Sequence, residues 1–140
     1  MSVEQQIDHY ISSQPAAKAD DLRQLHGLVR EIAPGGRLWF LDGRDESGKT
    51  VANPNIGYGA LTIAYANGTA REFYRLGLSA NTDGISLYVM GLDDRRYLSH
   101  AYGPRLGKAK VTGYCVKFRA LGDLDRGALE DLLRFGLADR

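Results

Sequence analysis

An α+β fold is the class this sequence predicts, and three observations predict it. Apolar residues recur at helical spacing in the first third of the chain and again near its carboxy terminus. Between those stretches the apolar period shortens to that of strands. The glycines, 17 in all, concentrate between Gly35 and Gly122, where they punctuate the short-period segments as turns would. The expected order is two amino-terminal helices, a largely antiparallel sheet of about five strands, a short inserted helix and a carboxy-terminal helix packed on the sheet. No internal repeat, linker or low-complexity tract interrupts it, so residues 1–140 read as a single domain able to bury one two-layer core.

The helices come first. Val3, Ile7, Tyr10 and Ile11 share one helical stripe, and Leu22, Leu25, Val29 and Ile32 share another. Gln14-Pro15 separates them, Asp20 or Asp21 suits the first turn of the second, and Pro34, Gly35 and Gly36 end it. The segment Arg37-Leu38-Trp39-Phe40-Leu41 then reads as a strand. Residues 60–65 (ALTIAY) and 71–78 (REFYRLGL) flank Asn67-Gly68, a strong hairpin signal.

A two-residue loop at Asn67-Gly68 would place Ala66 opposite Thr69, Leu61 opposite Tyr74 and Ile63 opposite Glu72. It would put Leu61, Ile63, Tyr65, Tyr74, Leu76 and Leu78 on the core face. A further strand turns Ile85, Leu87 and Val89 inward, and the last turns Tyr114, Val116 and Phe118 inward. Between them, residues 93–104 (DDRRYLSHAYGP) suggest a short helix with an acidic start and a Gly103-Pro104 stop. Leu129, Leu132, Leu133 and Leu137 form the apolar face of the closing helix.

Charge and cysteine content bound the partners. Eighteen basic and 17 acidic side chains leave a formal charge of +1, which selects neither nucleic acid nor an anionic membrane. Cys115 stands alone, so no internal disulfide framework exists and a reducing compartment fits. The polar amino terminus lacks a signal-peptide layout, and no run approaches the roughly 18 apolar residues of a membrane span, so a cytoplasmic location is expected.

One motif demands a decision. Gly43-x-x-x-x-Gly48-Lys49-Thr50 matches the phosphate-loop pattern, which works only when a helix starts at the Lys-Thr and points its amides at the phosphates. Here Pro54 and Gly57 would break the first two turns of such a helix, and Asp45 and Glu46 would put negative charge in the cradle. The segment is expected to be a polar hairpin or excursion turned by Gly43 and Gly48, and the phosphate-loop NTPase reading is rejected.

No other residue set specifies a reaction. His9, His26 and His100 are far apart and form no metal-binding pair with one another or with Cys115. His9 is expected in solvent and His26 at the boundary of the second helix. Asp20-Asp21 and Asp93-Asp94 read as helix starts. By alternation Cys115 points away from Tyr114, Val116 and Phe118, with no base supplied locally, which makes it an inert thiol on the second face of the sheet.

That second face would gather Arg71, Phe73, Arg75, Tyr88, Met90, Cys115 and Lys117, a basic and aromatic set suited to a planar anion unless a helix or a second protomer covers it. A second set, Asn53, Asn55, Tyr58, Asn81, Tyr102, Arg105, Lys108 and Tyr114, falls near strand ends and would line a small polar pocket if the loops gather at one edge. Either set points to a non-enzymatic binding module for a small polar ligand or a protein partner, with self-association into a homodimer as one way of covering the face. Nucleic acid and membrane are disfavoured.

The chain resembles the YdhG-like family, a bacterial domain-of-unknown-function group. The resemblance covers most of the length and rests on residues 7–35 (IDHYISSQPAAKADDLRQLHGLVREIAPG), 53–59 (NPNIGYG), 71–92 (REFYRLGLSANTDGISLYVMGL) and 106–137 (LGKAKVTGYCVKFRALGDLDRGALEDLLRFGL). It implies helices packed on an antiparallel sheet and brings no enzymatic activity. Some members are described as frataxin-like intracellular iron chaperones, which makes iron the one cofactor the resemblance implies. The acidic ridge such proteins use has no dense counterpart here, because Glu4, Asp8, Asp20, Asp21 and Glu31 are spread over two helices. Where many relatives have a Trp-Gly-Met-Pro-like turn, this chain has Trp39-Phe40-Leu41-Asp42-Gly43.

Overall fold

The computed structural model describes residues Met1–Arg140. Helix α1 (Val3–Ser12) opens with a capping box in which Ser2 Oγ accepts from the Gln5 amide at 3.1 Å and Gln5 Oε1 accepts from the Ser2 amide at 2.9 Å. Helix α2 (Ala16–Ile32) starts directly after Pro15, four residues before Asp20. Proline's fixed φ sets the start, so neither Asp20 nor Asp21 sits in the first turn. Asp21 instead accepts a hydrogen bond from the Leu121 amide at 3.1 Å and ties α2 to the end of the chain.

The strands are β1 (Leu38–Leu41), β2 (Asn55–Tyr58), β3 (Leu61–Ala64), β4 (Ala70–Phe73), β5 (Leu76–Asn81), β6 (Gly84–Val89), β7 (Lys110–Thr112) and β8 (Cys115–Phe118). Helix α3 (Tyr97–Tyr102) lies between β6 and β7, and α4 (Arg126–Leu137) closes the chain with Asp125 capping the Ala128 amide at 2.9 Å. Six strands form one fully antiparallel sheet in the order β1-β2-β5-β6-β8-β7, while β3 and β4 form a separate two-stranded ribbon. The α+β class and the order of the helices follow the sequence expectation, but α3 begins at Tyr97 with no acid in its first turn, and Asp94 accepts from the Arg96 amide at 2.9 Å in the turn before it.

The core lies between the helices and one face of the sheet. Ile56, Leu76, Leu78, Ile85, Leu87, Val89 and Val116 meet Ile7, Ile11, Leu22, Leu25, Val29, Leu98, Leu129, Leu132 and Leu133, all at most 2 % exposed. Each such side chain removed from water stabilises the fold by roughly 1.5–3 kcal/mol. Gly136 lets α4 approach closely, since a Cβ there would stand 3.0 Å from Leu76 Cδ1 of β5.

Four details differ from the sequence expectation. The hairpin is one residue out of the predicted register: Leu61 faces Phe73 and Ile63 faces Arg71, because the turn is a three-residue loop. The Tyr65 amide donates to Thr69 O at 2.8 Å, Asn67 Oδ1 accepts from the Thr69 amide, and Gly68 takes a left-handed φ of 85°. Second, residues 71–78 are not one strand, because the chain breaks at Tyr74-Arg75 and passes from the ribbon to the main sheet. Leu61, Ile63 and Tyr65 therefore lie outside the core, with Tyr65 45 % exposed. Third, Tyr114 precedes β8 and is 54 % exposed, so only Val116 and Phe118 of that set face inward. Fourth, β2 and β7 are strands that the sequence pattern left out.

The phosphate-loop-like segment is a polar hairpin. Arg44 bridges Thr50, the Asp45 amide donates to Lys49 O at 2.9 Å, and Gly43 and Gly48 have φ of 76° and 87°. The Asp45 carboxylate accepts from the Ser47 and Lys49 amides at 2.9 and 3.0 Å, occupying donors that a phosphate would need. Hydrogen bonds from the Ser47 hydroxyl and these amides hold its pKa below the usual carboxylate range. Thr50 leads through an irregular stretch into β2 instead of into a helix.

Candidate functional site

The helices cover one face of the sheet and leave the other face to be divided between two kinds of side chain. On the β1-β2-β5 half, Gly57 and Gly77 are cross-strand neighbours, and the Tyr74 ring lies on both. A Cβ at either glycine would come within 2.6 Å of that ring, so the glycines are there for close approach and not for unusual φ. Phe73 stacks on Tyr74 with centroids 4.1 Å apart, and Trp39 meets Phe73 edge-on at 6.0 Å. Trp39 Nε1 donates to Gly59 O at 2.7 Å, and the Arg37 and Arg71 guanidinium groups lie 3.7 and 4.7 Å from the Trp39 and Phe73 ring centroids. This half is closed by its own aromatic side chains.

The β6-β8-β7 half is open and concave. Register places Ser79, Ser86, Lys117 and Lys110 in one row across β5, β6, β8 and β7, with Lys110 directly opposite Lys117. A depression of about 600 Å³ lies over this row, lined by Asn53, Asn81, Thr82, Asp83, Ser86, Tyr88, Lys108, Lys110, Lys117 and Arg119 among others. Its floor is braced from behind. Ser79 Oγ donates to Pro54 O at 2.6 Å, Asn81 Nδ2 donates to Ser86 Oγ at 2.8 Å, and Lys18 Nζ of α2 donates to Asn81 O at 2.6 Å. The Tyr10 hydroxyl of α1 accepts from the Ala80 amide at 2.9 Å. Helices and rim are thereby tied together, and a ligand on the depression would meet a preset surface.

The electrostatics of this half are one-sided. Four cations, Lys108, Lys110, Lys117 and Arg119, line the depression against a single carboxylate, Asp83. The ion pairs of the molecule engage Arg23, Arg37, Arg75, Arg96, Arg105, Arg126 and Arg134, and none of the four cations takes part. Tyr88 and Tyr114 stack at 5.9 Å at the edge, with burial raising the Tyr88 pKa. Cys115 sits between Tyr88 and Thr112 in the register, and burial raises its pKa against the pull of Lys117. It is a thiol, not a prepared thiolate.

The residues nominated from the sequence divide accordingly. Asn81, Tyr88, Lys108 and Lys117 come together in the depression, with Tyr114 at its margin. Asn55 stands apart, donating to Asn53 O at 3.0 Å and accepting from the Tyr74 hydroxyl at 3.5 Å. Tyr58 is on the helix side, its hydroxyl 2.7 Å from His26 Nδ1. Arg71 belongs to the ribbon. Arg75 donates to Ala138 O at 2.9 Å and to Asp139 at 2.6 Å, fastening the carboxy terminus, and Arg105 pairs with Asp131 of α4 at 2.6 Å. Sequence reasoning did not single out Lys110 and Arg119. Alternation from Lys117 points to Arg119, whereas Lys110 required a strand that was not foreseen.

No group of three or more His, Cys, Asp or Glu side chains converges to hold a metal ion. Asp20 pairs with Arg23 and Asp21 with the Leu121 amide, so these two acids of the helices have other partners. No helix is long and apolar enough to cross a membrane. Comparison with known proteins finds no matching family model, curated protein or solved structure. The resemblance to the YdhG-like family rests on its residue blocks alone.

Proposed function

We propose that this protein is a binding module for a small polar ligand, seated in the depression over β6, β8 and β7. One observation carries the reading: amide, hydroxyl and cationic groups from four separate stretches of chain converge on one braced concavity. Such convergence of a few polar groups in a largely preset cleft is how small-ligand sites are built. Binding rather than turnover fits the chemistry, because Cys115 is held as a thiol and Asp83 is the one carboxylate present.

Native mass spectrometry of the purified protein, followed by amide chemical-shift titration against anionic, neutral and cationic small molecules, tests the reading. A ligand should perturb residues of the β5–β6 turn, Tyr88 and the β7–β8 pair together. Shifts confined to other surfaces, or none with any class, would overturn it.

A further inference from the structure

The depression holds a feature that folding alone does not call for. Lys110 and Lys117 are directly opposed across β7 and β8 on the same face. Opposed residues of an antiparallel pair have their Cβ atoms about 4.5–5.5 Å apart, and like charges at that spacing repel. Just beyond the ends of these two strands, Lys108 and Arg119 line the same depression. The four cations thus gather over one concavity, with no carboxylate paired to any of them. Elsewhere seven arginines pair with acids, even on exposed surfaces, as in Arg105–Asp131 and Arg126–Glu130, whereas Arg30, Arg44, Arg71, Arg95 and Arg140 do not.

We propose that the ligand of this site is a compact anion with two or more phosphate groups, neutralised by the opposed Lys110 and Lys117 together with Lys108 and Arg119. The inference rests on the depression being the ligand seat and adds the ligand's class. Four cations favour an anion with several charged groups over one with a single group, because only the former engages them all. Asp83 at the rim disfavours anions that extend toward the β5–β6 turn. The stacked Tyr88 and Tyr114 at the margin offer a place for a planar ring, so the phosphates have two sources, a ring-free polyphosphate or a nucleotide.

The test is calorimetric titration of the full chain with orthophosphate, pyrophosphate and ADP at low ionic strength. Pyrophosphate should bind at least about tenfold more tightly than orthophosphate, and its affinity should fall as salt rises. Lys110→Gln and Lys117→Gln should each weaken it by about tenfold, while Lys49→Ala, on the hairpin that mimics a phosphate loop, should leave it unchanged; each variant's fold is verified by its amide spectrum. Tighter binding of ADP than of pyrophosphate identifies a nucleotide source, and equal binding a ring-free one; both support the inference. Saturable binding of a neutral molecule at the same residues without any phosphate binding would overturn the anion class while leaving the binding module intact. Binding that appears only with long single-stranded nucleic acid would overturn the compact-ligand class, and no binding at these residues by any probe would overturn both readings.

Discussion

Along β6, Ile85, Leu87 and Val89 point toward the helices and are at most 1 % exposed, whereas Ser86 and Tyr88, one step out of phase, face the other side, where the Ser86 hydroxyl accepts from Asn81. On β8 the same alternation sets Val116 and Phe118 against Cys115 and Lys117. The helix-covered face is decided by volume and hydrophobicity, since every side chain there displaces water from a shared core. The open half of the other face, beyond the aromatic cluster on β2 and β5, is free to carry opposed lysines because it packs against no helix.

That contrast can be broken. The largest effect should come from Leu87→Ala, which leaves a cavity at the centre of the covered face and should cost about 2–5 kcal/mol in denaturant unfolding. Gly77→Ala should cost about 1–3 kcal/mol by driving a methyl group into the Tyr74 ring, and the cost should shrink in a Tyr74→Ala background. An unchanged unfolding midpoint for Gly77→Ala in the native background would mean that the aromatic half is not tightly closed.

A third test concerns His26, on the covered side. Burial, and then Arg30, lower its pKa below the ordinary 6.5, with Asp8 and Glu4 opposing more weakly, and its Nδ1 meets the Tyr58 hydroxyl. Tyr58's own pKa is raised far above its usual range by burial, so its hydroxyl stays protonated beside the imidazole. With the folded pKa below the unfolded one, the unfolded chain binds more protons. Stability present above pH 6.5 is therefore lost as the pH falls toward the folded value. Unfolding midpoints at pH 7.5 and 5.5 should differ more in the native protein than in His26→Gln. The smallest effect belongs to the open face: Lys117→Gln should change stability by no more than about 0.5 kcal/mol, and in the stabilising direction, as relief of the Lys110 repulsion requires. A loss comparable to that of Leu87→Ala would erase the distinction between the faces.

How much of this was legible in the sequence depended on whether the controlling contact was local. Stripes such as Leu22, Leu25 and Val29, or Leu129, Leu132 and Leu133, announce their helices because the period is contained in the segment. Strand β2 was illegible for the opposite reason. Asn55 and Gly57 are poor strand formers, and what makes Gly57 necessary is Tyr74, a residue of another segment. The hairpin register turned on whether the Asn67-Gly68 loop holds two residues or three, which the Asn-Gly signal alone leaves open. At the candidate site, Tyr88 and Lys117 could be read from alternation within their strands. Arg75 was misplaced because the Tyr74-Arg75 break was invisible, and Lys110 was missed because three residues are too few to display a period.

Strand β7 has a further bearing on how the protein behaves at high concentration. It is an edge of the six-stranded sheet, with one row of backbone amides and carbonyls unclaimed by any strand. Exposed edges invite another chain to add on, and short strands bearing lysine are a common protection. β7 is three residues long and begins with Lys110, directly after Lys108 and Ala109. Lys110, proposed above to bind the anion, stands where such a protecting lysine would stand. An anion seated there would mask the charge that keeps neighbouring molecules apart, so colloidal behaviour and ligand occupancy are coupled through one side chain.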